Sequence, residues 1–152
     1  MKITSKGDYA LRAILDLAYA SQETDAVSLA DICKRQNIPE KFLAQIMLTL
    51  KKAGFVDSRR GVGGGYFLKR KPESLTIGDI IRHIDGPLNP TAGVNAGNRS
   101  APIVNEEQQA LEEVWIKVTH AVTDIVDRVT FADLMCRAKE IRETNADFNY
   151  II

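Results

Sequence analysis

The chain has 152 residues, 45% of them hydrophobic and 26% charged, which is enough to bury one useful core but leaves little room for separate binding and catalytic domains. Its formal net charge of zero conceals an asymmetry: residues 1–82 carry 14 Lys and Arg against 9 Asp and Glu, whereas residues 83–152 carry 6 against 11. With two cysteines, no signal-peptide pattern and no apolar run long enough to cross a bilayer, the composition argues against a disulfide scaffold or a membrane protein and predicts a cytoplasmic protein with reduced thiols.

Near the N terminus, Thr4 or Ser5 can cap a helix whose buried face is Ala10, Leu11, Ile14, Leu15, Leu17 and Ala18. Lys2, Ser5 and Lys6 stand at its start. There, side chains and open amides can together contact phosphate, or act only as caps and solvated charges. A polar connection then leads to Ser28, which is expected to cap a second helix in a capping box with Asp31 and to be followed by the apolar face Leu29, Ile32 and Cys33.

After Gln36-Asn37-Ile38, Pro39 suits an early position of a third helix because it has no amide to leave unpaired. Phe42, Leu43, Ile46, Met47 and Leu50 recur at three- and four-residue intervals and are expected to face the core. Lys41, Ala44, Gln45, Thr49 and Lys52 then lie on or near the other side. Gly54 stops this helix. Residues 55–59 and 66–69 read as two strands bracketing Arg60-Gly61-Val62-Gly63-Gly64-Gly65. The loop lacks the spacing and the following Lys-Ser/Thr of a P-loop, and it sits in a hairpin rather than between a strand and a helix.

Two short helices, a tight connection and a glycine-rich hairpin are the order of a winged helix-turn-helix, and the basic part of the chain coincides with it. The predicted fold is mainly α with a small β-hairpin, plus a long dimerisation helix. On this reading Gln45 can pair with adenine, Lys41 with guanine or phosphate, and Thr49 can help near the backbone. Arg59 and Arg60 serve the wing with Gly61, Gly63 and Gly64, and Ser28 completes the expected DNA contacts. The basic run Lys69-Arg70-Lys71 is either a phosphate contact or a solvated strand end.

Thr76 and Asp79 resemble another capping box, leading into Ile77, Ile80, Ile81 and Ile84, and Gly86-Pro87 ends that helix. Residues 88–105 read as a loop of variable order. From Glu106 onward, Leu111, Trp115, Val118, Val122, Ile125 and Val129 recur at alternating intervals of four and three, reinforced by Val114, Ala121 and Val126. So wide an apolar face predicts a helix that docks on its own reader and also crosses a partner in a two-fold homodimer. Trp115 reads as an interface or core anchor and His120 as a solvated or hydrogen-bonded side chain. Thr130 opens a final helix expected to run to about Glu143. The terminal Tyr150, Ile151 and Ile152 can dock in a partner's pocket or pack on the dimer.

The opening MKITSKGDYALRAILDLA and the combination GFVDSRRGVGGGYFL followed by LTIGDIIRHIDGP resemble the Rrf2 family of bacterial transcription regulators, and the resemblance extends over essentially the whole chain. It implies a winged helix-turn-helix over residues 1–87, a variable loop over 88–105 and a dimerisation region over 106–152. The partners implied are double-stranded DNA with an imperfect palindromic operator and a second copy of the chain, with Arg60 entering the minor groove. In iron–sulfur members the variable loop holds three closely spaced cysteines. Here it holds neither cysteine nor histidine, and His83 and His120 cannot replace a thiolate-rich site. The chain is therefore similar to the cluster-free branch, which implies no cofactor, no metal and a repressor of cysteine or sulfur metabolism.

Many iron–sulfur relatives carry glutamate at the position of Ala44, so their operator sequences do not transfer. The isoleucine-ending tail is similar to those that engage cysteine synthase, which makes that enzyme a candidate partner. A small metabolite in the dimer cleft and thiol sensing through Cys33 or Cys136 are alternatives. Cys33 sits in the inward phase of its helix, as a small buried hydrophobe would, and helical phase leaves Cys136 undecided. No nucleophile, metal cluster or paired-acid arrangement suggests an enzyme.

Overall fold

The computed structural model describes residues 3–22, 26–88, 94–95, 98–99 and 105–149. Among them are six α-helices: α1 (Ser5–Ala20), α2 (Leu29–Gln36), α3 (Glu40–Lys52), α4 (Ile77–Asp85), α5 (Glu106–Arg128) and α6 (Phe131–Asn149). Strands β1 (Val56–Arg59) and β2 (Gly65–Leu68) form an antiparallel hairpin. Two residue pairs form a second, minimal hairpin, β3 (Val94–Asn95) with β4 (Asn98–Arg99), inside the segment expected to be a loop.

Local chemistry fixes most of the element ends. Thr4 caps α1, its hydroxyl accepting from the Gly7 amide at 3.2 Å. Its own amide and hydroxyl donate to the Asp85 carboxylate at the end of α4, at 2.9 and 2.5 Å, so the starts and ends of two helices share one acid. Gly7 leaves room for that acid: a Cβ there would lie 2.2 Å from Asp85 Oδ2. Ser28 caps α2 by accepting from the Asp31 amide. The Asp31 carboxylate accepts a hydrogen bond from the Ser28 hydroxyl at 2.6 Å rather than from the backbone amide that a capping box requires. Thr76 and Asp79 do form a complete capping box. Pro39 sits one position outside α3, as its N-cap.

One core joins α1, α2, α3, α4 and α6. Ala10, Ala13, Ile14 and Leu17 of α1 meet Ile32 of α2, Leu43, Ile46, Met47 and Leu50 of α3, and Ile80 of α4. Phe131 and Met135 of α6 belong to the same core, and Phe131 is fully buried. Truncating a phenylalanine in such a position removes on the order of 3–5 kcal/mol. Hydrogen bonds hold α6 in place: the Tyr19 hydroxyl donates to the Met135 carbonyl at 3.0 Å, and the Phe131 amide to the Leu75 carbonyl at 3.0 Å.

Two expectations are corrected. Phe42 does not face the core; it is 58% exposed, because Leu43, Ile46, Met47 and Leu50 already fill the inward side of α3. The last helix runs to Asn149 instead of ending near Glu143, since Thr130 and Asp133 start it with reciprocal capping bonds and no glycine or proline interrupts it.

Candidate nucleic-acid interface

The helix pair is set by a buried carboxylate. Asp16 of α1, 7% exposed, accepts from Arg35 Nε and a terminal guanidinium nitrogen at 3.0 and 2.7 Å and from the Gln36 amide nitrogen at 3.0 Å. A two-pronged guanidinium–carboxylate contact fixes orientation as well as distance, so α2 is locked onto α1 at its C-terminal end. Asn37 then takes a left-handed conformation, φ 51°, and turns the chain into α3.

Burial divides α3 cleanly. Leu43, Ile46, Met47 and Leu50 are buried, while Lys41, Phe42, Gln45, Leu48 and Lys52 are exposed and Ala44 and Thr49 are half-buried. Lys41 and Gln45 thus share the open face, one turn apart. The Thr49 hydroxyl donates back to the Gln45 carbonyl at 2.9 Å, which engages its proton within the helix. Gly54, φ 77°, closes the helix and directs the chain into β1. Lys51 braces this corner: its ammonium pairs with Asp57 at 3.0 Å and bonds Ser58. The hydrogen bond from Lys51, followed by that from the Ser58 amide, holds the Asp57 carboxyl below its ordinary value.

The wing is anchored through a pair that local sequence patterns do not signal. Val27, just ahead of α2, bridges Tyr66 of β2 with two backbone hydrogen bonds of 2.9 and 2.7 Å. Gly65 makes this approach possible, since a Cβ there would lie 2.2 Å from the Val27 carbonyl oxygen. At the tip, the Gly64 amide donates to the Gly61 carbonyl at 3.0 Å, and a Cβ on Gly64 would fall 2.4 Å from the Arg59 carbonyl oxygen. The tip is a built turn. Arg59 and Arg60 are exposed at its base, with the Arg59 guanidinium 5.7 Å from the Phe67 ring centre.

Ser5 and Lys6 are exposed at the start of α1, and Ser28 is half-buried at the start of α2. Lys2 lies outside the described residues, as do Tyr150, Ile151 and Ile152. Sequence reasoning missed Phe42 and Leu48, which flank Gln45 on the open face of α3; their three-residue spacing from Gln45 is the signal that could have found them.

On α5, Leu111, Val118 and Ile125 are 56%, 38% and 65% exposed, with Val114 at 50%. Trp115, Val122 and Val129 are half-buried. The apolar stripe is therefore only partly covered by its own chain. Arg82 of α4 pairs with Asp127 of α5 at 2.5 Å, and the Ile77 amide donates to the Val129 carbonyl at 3.1 Å.

Cys33 is half-buried in α2, where burial and then the Glu40 charge push its thiol up, away from thiolate. Cys136 is exposed on α6. Among the described residues no group of three or more His, Cys, Asp or Glu is placed to hold a metal ion, and residues 89–104 contain none of these four types. The donor set does not suit an iron–sulfur cluster, which needs thiolates gathered at one place. No helix among the described residues is long and apolar enough to cross a membrane.

Residues 3–137 match the family model described as Rrf2, iron-dependent transcriptional regulator. The chain is similar to the HTH-type transcriptional regulator CymR of Bacillus subtilis, with 37% identity over 88% of this chain and 89% of the relative. It is also similar to the HTH-type transcriptional regulator IscR of Vibrio campbellii, with 36% identity over 89% of this chain and 77% of the relative. The solved structure of CymR, described as the global cysteine regulator of B. subtilis, superposes with a TM-score of 0.73 at 36% identity, covering 88% of this chain and 95% of that one. With a family match over nearly all of the described fold and relatives named as transcription regulators rather than enzymes, the chain belongs to the Rrf2 family of transcription regulators.

Proposed function

We propose that the protein is a homodimeric repressor that occupies promoter DNA at an imperfect palindrome and works without a resident iron–sulfur cluster. The observation that carries this reading is the open face of α3, with Lys41 and Gln45 exposed beside a wing whose Arg59 and Arg60 are also exposed. Residues 1–87 act as the reader and 106–152 as the dimer-forming part. Lys2, Ser5, Lys6 and Ser28 position the backbone with help from Thr49, Lys41 and Gln45 address the major groove, and Arg60 enters the minor groove with Gly61, Gly63 and Gly64 shaping its approach. Two such readers across a two-fold axis would meet half-sites about one helical turn, roughly 34 Å, apart.

The missing donors in residues 89–104 support the cluster-free reading, and likeness to a regulator described as a cysteine regulator supports cysteine or sulfur metabolism as the target. Fragmented genomic DNA from the source organism, captured by the purified protein at several salt concentrations and sequenced, tests the reading. A salt-tolerant palindrome in promoters is expected. Recovery that is uniformly sequence-independent and salt-sensitive would refute it.

A second reading adds control by a small metabolite. A groove of about 1100 Å³ between α1, α2 and α6 sets Arg35, Lys139 and Arg142 beside Tyr19 and Cys136, and it joins the helix pair to the C-terminal part.

A further inference from the structure

The exposed residues of α3 are mostly charged or polar, Glu40, Lys41, Gln45, Lys51 and Lys52, with two large apolar side chains among them. Gln45 is flanked one turn earlier by Phe42, 58% exposed, and one turn later by Leu48, 53% exposed. An isolated exposed leucine needs no explanation, but a phenylalanine turned outward one turn from Gln45 does. The core does not lack space-filling residues that would have drawn Phe42 inward, since four side chains of the same helix already occupy it.

The position of these side chains narrows what they can touch. Phe42 lies in the first turn of α3, next to Lys41 and Gln45, and the first turn of a recognition helix approaches base edges most closely. In the major groove, adenine, guanine and unmodified cytosine offer hydrogen-bonding groups, while thymine alone offers a methyl. Gln45 itself suits adenine, whose base pair brings a thymine methyl into the same groove.

We propose that Phe42 reads the C5-methyl group of thymine at or beside the adenine addressed by Gln45. The proposal rests on the DNA-reading role inferred above and makes Phe42 a specificity-determining residue. It commits the core of each half-site to A·T pairs and gives the outward phenylalanine a partner that cytosine, guanine or the phosphate backbone would not supply.

The test starts with the full-length protein and a random-sequence duplex library, from which bound sites are enriched. Thymines in the enriched duplex are then replaced one at a time by uracil, which removes the methyl and leaves base pairing intact. The expected result is that uracil at one or two positions in each half-site weakens binding by about three- to tenfold. Phe42→Ala should bind the thymine duplex more weakly and no longer distinguish it from the uracil duplex at those positions. Phe42→Leu should retain part of the distinction.

Uniform tolerance of uracil by the unmodified protein overturns the proposal without needing any variant, and would leave a protein partner as the occupant of the exposed ring. An equal loss by Phe42→Ala on both duplexes also overturns it, since Phe42 would then act on sugar, phosphate or fold. Failure to enrich any sequence overturns both this proposal and the DNA-reading role, so the two failures are distinguishable.

Discussion

Gly65 lies against the backbone of Val27 so closely that a Cβ would sit 2.2 Å from the Val27 carbonyl oxygen, and its φ of 150° belongs to a region that side chains disfavour. Gly65→Ala should therefore strain the wing and part it from the segment entering α2. The expected loss is on the order of 1–3 kcal/mol in chemical denaturation. Hydrogen exchange should report faster opening of the Val27 and Tyr66 amides while the buried amides of α1 remain protected. Unchanged protection at both amides would show that the bridge does not depend on the glycine.

Arg60 is exposed at the base of the wing. Replacing it with alanine should weaken specific DNA binding and lower the log–log salt slope by about one, as expected when one cation leaves the phosphate field. A titration from low to moderate salt on an enriched duplex measures both quantities. Identical binding across the series would remove Arg60 from the interface.

Ile125, 65% exposed, stands in the uncovered apolar stripe of α5. On the proposed homodimer, Ile125→Lys should shift the protein from dimer to monomer in sedimentation while leaving its helical circular dichroism intact. DNA affinity should fall with it, because two linked readers bind as one unit and separate readers do not. If sedimentation is unaltered, the stripe is not the dimer contact.

Asp57 has a folded-state carboxyl held below the ordinary value of 3.8, first through its hydrogen bond from Lys51. Because the folded value is depressed, this contribution is fully present above the unfolded value and is lost as pH falls through the folded one. Asp133, held down by the Thr130 amide and hydroxyl at the start of α6, has the same sign. Denaturation curves taken from about pH 5 downward should therefore show wild-type stability declining more steeply than that of Asp57→Asn. Parallel curves would show that the Lys51 corner contributes nothing pH-dependent.

The order of elements through the reader was legible because each boundary has a local chemical cause: the Ser28 and Thr76 hydroxyls, Pro39, Gly54 and the glycines of the wing. Long-range relationships were not. Val27 and Tyr66 meet through a single bridged pair that produces no alternating run, and Tyr19 reaches Met135 across more than a hundred residues. Periodicity also assigned Phe42 to the core, since pattern reasoning sends large apolar residues inward and has no means of seeing that Leu43, Ile46, Met47 and Leu50 fill the space. The misplaced residue is the one with the strongest claim to a task at the surface.

The far end of α5 is clamped: Asp127 to Arg82, the Val129 carbonyl to the Ile77 amide, and Phe131 immediately beyond it sunk in the core. Thr119, buried at mid-helix, and the half-buried Trp115 and Val122 add contacts along the same helix, so α5 is held to the body along one side and open on the other. Its 23 residues span roughly 34 Å at 1.5 Å per residue, and the exposed Leu111, Val118 and Ile125 are spread along that length. Through Asp85, whose carboxylate takes the hydrogen bonds of Thr4, α4 is tied in turn to the start of α1, so the open stripe and the helix pair are joined by a short series of polar contacts.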